Sequence, residues 1–167
     1  MHRRLAQAGL ALAAVVAVAC SSGQPAAQPA QAAAEQPQRL PTETLTIHTQ
    51  AGPVRLTVQV ADNDATREKG LMFVRSMPEN EGMIFDFHSS QAVSFWMHNT
   101  YIPLDLLFVA ADGRILTIAR NARPLDDGLI PSGGRIRAVI EINGGVADKL
   151  GVKVGDQVTD EQVFPAH

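Results

Sequence analysis

Cysteine occurs once in these 167 residues, at position 20. No intramolecular disulfide can therefore form, and paired-cysteine zinc spacings and Cys-x-x-Cys redox pairs are excluded as well. Surplus positive charge is also missing: 14 Lys and Arg face 17 Asp and Glu, a net charge of −3, whereas nucleic-acid binders carry a basic excess to neutralise phosphates. Nucleic acid is not an expected partner. The longest apolar run, residues 10–19 (LALAAVVAVA), is ten residues, and a helix crossing the bilayer core needs roughly twenty. The motifs that announce common chemistries are absent: no Gly-x-Ser-x-Gly, no His-Glu-x-x-His, no Gly-Lys-Ser/Thr phosphate loop and no dinucleotide fingerprint. What remains is a chain long enough for one domain.

Its start reads as an address. His2, Arg3 and Arg4 precede the short apolar run, which ends at Cys20, the pattern of a secretory signal peptide over residues 1–19. Ala17-Val18-Ala19-Cys20 resembles the bacterial lipobox, in which the cysteine is acylated and becomes the new N-terminus. That implies a membrane partner through a lipid anchor at Cys20 and an exported domain held in the periplasm of the cell envelope. A simply cleaved signal, giving a soluble periplasmic or secreted protein, is the alternative. Residues 21–44 are mostly Pro, Ala and Gln, too poor in apolar side chains to offset the entropy of ordering. They read as a disordered tether whose prolines favour an extended chain reaching on the order of 70 Å.

The folded unit is expected over residues 45–164. Leu45 and Ile47, then Val54, Leu56, Val58 and Val60, alternate with polar residues, the period of a half-buried strand. Gln50-Ala51-Gly52 supplies a turn between them. Asn63 or Asp64 caps a short helix through Lys69, with Leu71 and Met72 on its buried side. Residues 83–87, 93–97, 104–109 and 114–119 are strand-length and rich in β-branched or aromatic residues. Residues 135–142 alternate, placing Ile136, Ala138, Ile140 and Ile142 on one face and Arg135, Arg137, Val139 and Glu141 on a mixed, charged face. A second short helix at 144–150 and a strand near 157–163 complete the pattern. The expected class is mainly β (α+β): a single compact, barrel-like antiparallel sheet with two short helices.

The densest cluster of chemically capable residues runs from Phe95 to Asp105, with the only Trp, the only Tyr and a carboxylate in an apolar strand. Trp96 and His98 on one strand face offer a ring platform beside a proton-exchanging group, while Trp96 as core and Asn99-Thr100 as a turn is the plain alternative. Asp105 and Glu141 each need a hydrogen-bonding partner or else carry a raised pKa. For Asp105 the candidates are Arg75 or backbone amides; for Glu141, a cross-strand group. Ser132-Gly133-Gly134-Arg135 presents amides and a guanidinium to an anion only weakly, having no phosphate-loop helix after it. His48, His88, His98 and His167 show no ligand spacing, so neither a metal nor another cofactor is expected.

Gly70-Leu71-Met72, Glu81-Gly82-Met83-Ile84-Phe85, Phe95-Trp96-Met97-His98-Asn99-Thr100-x-Ile102-Pro103-Leu104-Asp105, Asn121-x-x-Pro124, Pro131-Ser132-Gly133-Gly134 and Glu141-x-x-Gly144-x-x-x-x-x-Leu150-Gly151-x-x-x-Gly155-Asp156 together resemble the family of domain of unknown function 192. The likeness covers nearly all of residues 45–163. It implies a compact, mainly β fold with a barrel-like sheet and short helices, and no established activity or site residue. His98 stands where the family usually has Lys, and Val74 displaces by one place an Arg that follows Gly-Leu-Met.

These readings converge on a lipid-tethered envelope domain that binds a small molecule or partner protein, without catalysis, through the Trp96 to Asp105 region and the facing loop of residues 121–132. The ligand-binding candidates are Trp96, His98, Asn99, Asp105, Asn121, Ser132 and Glu141. The alternatives are an enzyme using Asp105 or Glu141 as general acid or base, and a structural interaction module.

Overall fold

The computed structural model describes residues 36–165. The signal peptide, Cys20, His167 and most of the tether lie outside them. Nine strands and two short helices follow in order: β1 (Thr42–Thr49), β2 (Gly52–Ala61), α1 (Asp64–Lys69), β3 (Glu81–Gln91), β4 (Ser94–Phe95), β5 (Leu104–Val109), β6 (Ile115–Ala122), β7 (Ile130–Pro131), β8 (Ile136–Asn143), α2 (Val146–Lys149) and β9 (Gln157–Thr159).

Seven strands form one curled sheet in the order β6-β5-β8-β3-β2-β1-β9, a mainly β, half-barrel architecture with two short helices, as the residue pattern predicts. One pair departs from the antiparallel rule: β2 and β3 run parallel, Thr57 opposite Glu81. Parallel neighbours need a crossover, and α1 with the segment to Asn80 provides it. The curl brings the far edges together, where Arg114 bridges Gln157, the Ile115 amide donates to Asp156 O at 3.0 Å and the Val158 amide to Gly113 O at 2.8 Å.

Both faces of the central strands are buried, giving two cores. Leu45, Ile47, Leu56, Val58, Ile84, Leu107, Ile140 and Ile142 fill the inside of the curl. Met83, Phe85, Leu106, Phe108 and Val139 point the other way, covered by Leu71, Met97 and Ile102. Burying a Leu, Ile or Phe side chain contributes about 1.5–3 kcal/mol, so the second core makes the covering segments part of the fold. This corrects the expectation of a mixed, charged face on β8: Val139 and Glu141 are as enclosed as Ile140. Ile136 packs with Val139 rather than Ala138, because the β3–β8 register shifts between Asp86 and Gln91.

Other boundaries also move. The 93–97 segment is a strand only at Ser94–Phe95, paired with Ile130–Pro131. His88 lies within β3 at the register shift, with φ +57°. The last strand stops at Thr159, after which Asp160 Oδ1 accepts the amides of Gln162, Val163 and Phe164 at 2.6–3.1 Å. The C-terminal part of the sequence-assigned tether is docked: Gln38 Nε2 donates to Thr66 O and Gly70 O, each at 2.9 Å, and the Leu40 amide donates to Gln59 Oε1.

Candidate functional site

Helix α1 starts as its sequence requires. Asn63 Oδ1 accepts the Thr66 amide at 3.1 Å and Thr66 Oγ1 accepts the Asn63 amide at 3.2 Å, a reciprocal cap. It ends at Gly70, whose φ of +47° suits glycine. A Cβ there would come within 3.2 Å of the Phe85 ring. The chain then turns and sends Leu71 into the second core.

A cleft of about 300 Å³ lies among α1 and its Gly70 turn, β3 and the segment following β4. Leu71, Phe85, Phe87, Val93 and Phe95 make its apolar walls. Phe95 meets Phe85 edge-on at 5.1 Å between ring centroids and Phe87 at 6.4 Å, an arrangement aromatic quadrupoles favour. Trp96 and His98 stand at the exposed margin, stacked at 5.0 Å and 28°. The two rings do form a platform, though from irregular chain rather than from one strand face. Trp96 is 46% exposed, which rules out the core reading. His98 Nδ1 lies 2.7 Å from Asp127 Oδ1, and the loop carrying Asp127 braces this segment through Met97 N to Asp126 O at 2.8 Å and Leu125 N to Thr100 O at 3.1 Å.

Glu141 forms the deep polar point of the cleft. It is 4% exposed, and Met83 and Leu106 sit directly opposite it on β3 and β5. Its carboxyl has no hydrogen-bond or ion-pair partner among the described residues. Burial pushes its pKa from 4.5 up to about 8, because the charged form loses hydration that nothing replaces. At pH 7 it is a neutral acid, an O–H donor inside an apolar cleft. The mouth cations are engaged: Arg67 Nη1 donates to Asp86 O at 2.6 Å, its Nη2 pairs with Asp64, and its guanidinium lies 5.3 Å from the Phe87 centroid.

The other sequence-selected residues lie elsewhere. Asp105 is fully buried on the face of the sheet opposite Glu141, accepting the Asn121 amide at 2.8 Å on Oδ1 and the Ala147 amide at 2.9 Å on Oδ2. Of its two expected kinds of partner, the amides are the ones present; Arg75 instead lies over Tyr101. Asn121, at the register shift of β6, and Asn99, in a turn, hold left-handed backbone at φ +49° and +53°, and Asn99 O accepts the Phe73 amide at 2.8 Å. Ser132 Oγ donates to Gly134 O at 2.7 Å and accepts the Val93 amide at 3.2 Å, so it closes its own loop and ties it to the segment before β4. Trp96, His98 and Glu141 thus share the cleft, while Asp105, Asn121 and Ser132 do not line it.

The Phe95 to Asp105 run and the facing loop of residues 121–132 contain Phe95 and Asp127 without marking either of them, and Arg67, Phe85 and Phe87 are passed over altogether. The phenylalanines read as ordinary strand core, and their common wall appears only when β3 and β4 are packed. Asp127 carried no local pattern at all. Among the described residues no group of three or more His, Cys, Asp or Glu is placed to hold a metal.

A family model described as DUF192, Uncharacterized ACR, matches residues 45–159. No curated protein matches. A crystal structure of a "putative transcription regulator" from Sinorhizobium meliloti is 40% identical, with a TM-score of 0.72, covering 74% of this chain and 97% of that one. A crystal structure of a protein of unknown function from Novosphingobium aromaticivorans is 37% identical, also at TM-score 0.72, covering 87% of this chain and 99% of that one.

Proposed function

The chain belongs to the DUF192 family, an uncharacterised one, and from that premise we propose that it is a small-molecule-binding domain whose ligand enters the Glu141 cleft. One observation carries the reading: a carboxyl 4% exposed, in a cleft walled by aromatic rings, is left without a partner among the described residues. Buried polar groups are nearly always satisfied within the fold or by water, and pockets that combine apolar walls with a few convergent polar groups are how small ligands are held. Trp96 and His98 offer a ring face at the entrance.

The setting we propose is the cell envelope, with the domain held by a lipid at Cys20 and the segment to residue 36 as its lead. The description of the Sinorhizobium neighbour does not lead us to nucleic acid, since 17 acidic side chains against 14 basic ones give no phosphate-neutralising surplus. A second reading keeps the same cleft and makes Glu141 a general acid. Its raised pKa favours this, because proton donors work best near the ambient pH. Asp105 does not suit that role, both its oxygens being taken by amides.

A thermal-shift screen of the full chain against sugars, amino acids, nucleotides, aromatic acids and amides, and lipids tests binding. A ligand at a hundred times its Kd stabilises by about 2.7 kcal/mol. Hits that disappear in folded Glu141→Leu and Trp96→Ala variants are the expected result. Hits that persist in both place the site elsewhere, and consumption of a hit ligand by the native chain but not Glu141→Gln decides for catalysis.

A further inference from the structure

Resting on that reading of the cleft, we infer the class of ligand: an uncharged molecule with a ring-sized apolar body and one carbonyl-type acceptor, which takes a hydrogen bond from the Glu141 carboxyl. An anionic group at the deep point would face a carboxyl, with the apolar Met83 and Leu106 opposite it on the neighbouring strands, and would lose hydration that these neighbours do not replace. The guanidinium that lines the cleft, that of Arg67, is spent on Asp86 O and Asp64. An ammonium would need Glu141 ionised in the same apolar surroundings, and it would enter past Arg67 and Lys69. A neutral acceptor asks for neither change. It meets a donor that is already protonated, and its body contacts Phe85, Phe87 and Phe95.

The charged or titratable groups facing the cleft are Arg67, Glu68 and Lys69 of α1 and His98 after β4. The neighbouring strands add none: β3 presents Met83, Phe85 and Phe87, and β5 presents Leu106. Ligand affinity should therefore follow the protonation of Glu141, falling about tenfold between pH 7 and pH 9 for a group titrating near 8.

Four probes of one shape separate the classes: benzamide, benzylammonium, benzoate and toluene, each titrated into the full chain with the Trp96 indole and amide resonances followed by NMR. Benzamide is expected to bind best, to weaken about tenfold from pH 7 to pH 9, to lose binding in Glu141→Leu, and to bind Glu141→Gln with no such pH dependence. Benzylammonium binding that tightens with pH overturns the assignment and leaves the cleft as a cation site. Equal binding of toluene and benzamide, or a pH dependence that survives in Glu141→Gln, overturns it too. Failure of all four, with a wider screen also empty, removes the small-molecule reading itself.

Discussion

Replacing Glu141 with glutamine should stabilise this protein by an amount set by pH. In the unfolded chain the carboxyl titrates at 4.5, and in the fold burial holds its pKa near 8. The folded state therefore binds a proton that the unfolded state has released. The contribution of this group to stability is fully present below pH 4.5 and is lost as pH rises to 8, flattening above it. At 1.36 kcal/mol per unit, the total loss is about 5 kcal/mol, of which roughly 3 kcal/mol has accrued by pH 7. Glutamine does not titrate, so any fixed cost of burying its amide is the same at every pH. The measurement is urea unfolding of wild type and Glu141→Gln at intervals from pH 5 to pH 8.5. The stability difference, variant minus wild type, should grow by about 4 kcal/mol across that range. Subtraction cancels Glu43, whose pKa is also raised, to about 7, by burial and then by Asp160 and Glu161. Parallel curves over the whole range would refute the claim that Glu141 is buried and unpartnered.

Asp105 should behave in the opposite sense: Asp105→Ala orphans the amides of Asn121 and Ala147 and should cost roughly 2–5 kcal/mol in urea unfolding. Gly82→Ala should be among the most disruptive single changes in the sheet, since its Cβ would lie within 2.4 Å of Glu141 O. Overpacking costs typically about 1–3 kcal/mol, and here the obstacle is backbone, so loss of soluble protein or a large drop in Tm is expected. Trp96→Ala, at a half-exposed position, should change stability by no more than about 1 kcal/mol while abolishing the intrinsic tryptophan fluorescence by which ligand entry is followed. Cys20→Ser should shift the protein from the detergent phase to the aqueous phase in a detergent partition, and mass spectrometry of the native chain should show acylation at Cys20; an unmodified mature N-terminus would refute the anchor.

The fold was largely legible because its strands alternate or are continuously apolar, and because Asn63 and Gly70 bracket α1. The second core was not. Residues 104–109 (LDLLFV) are buried at every position, and a run apolar on both sides reveals neither which residues share a face nor that a loop covers the far one. The Trp96–His98 pair was legible as a candidate platform from residue type alone. Its strand setting was misread because Asn99, at φ +53°, breaks the extended chain that the pattern 93–97 suggests. The phenylalanine wall was unreadable for a different reason: it joins β3, β4 and the end of α1 across the fold, and no spacing within one segment records it.

Three buried or half-buried carboxyls show why residue type and burial alone did not pick out the site. Asp105 and Glu141 are one register step apart, since Asp105 pairs with Ile142 and Leu106 with Glu141. The pleat sends them to opposite faces. On one face the shifted β5–β6 pairing near Leu104 and the start of α2 aim two amides at Asp105, so both its oxygens are held as part of the framework. On the other, the neighbours are Met83 and Leu106, and Glu141 keeps its proton because no group among the described residues answers it. Glu43 is the intermediate case, held up partly by the acidic residues at the C-terminal bend, outside the cleft-lining residues. Burial is common to all three, and only Glu141 combines an unanswered carboxyl with room for another molecule beside it. That combination, rather than the presence of a carboxylate in an apolar strand, is what makes the second face of β8 the place to look for a ligand.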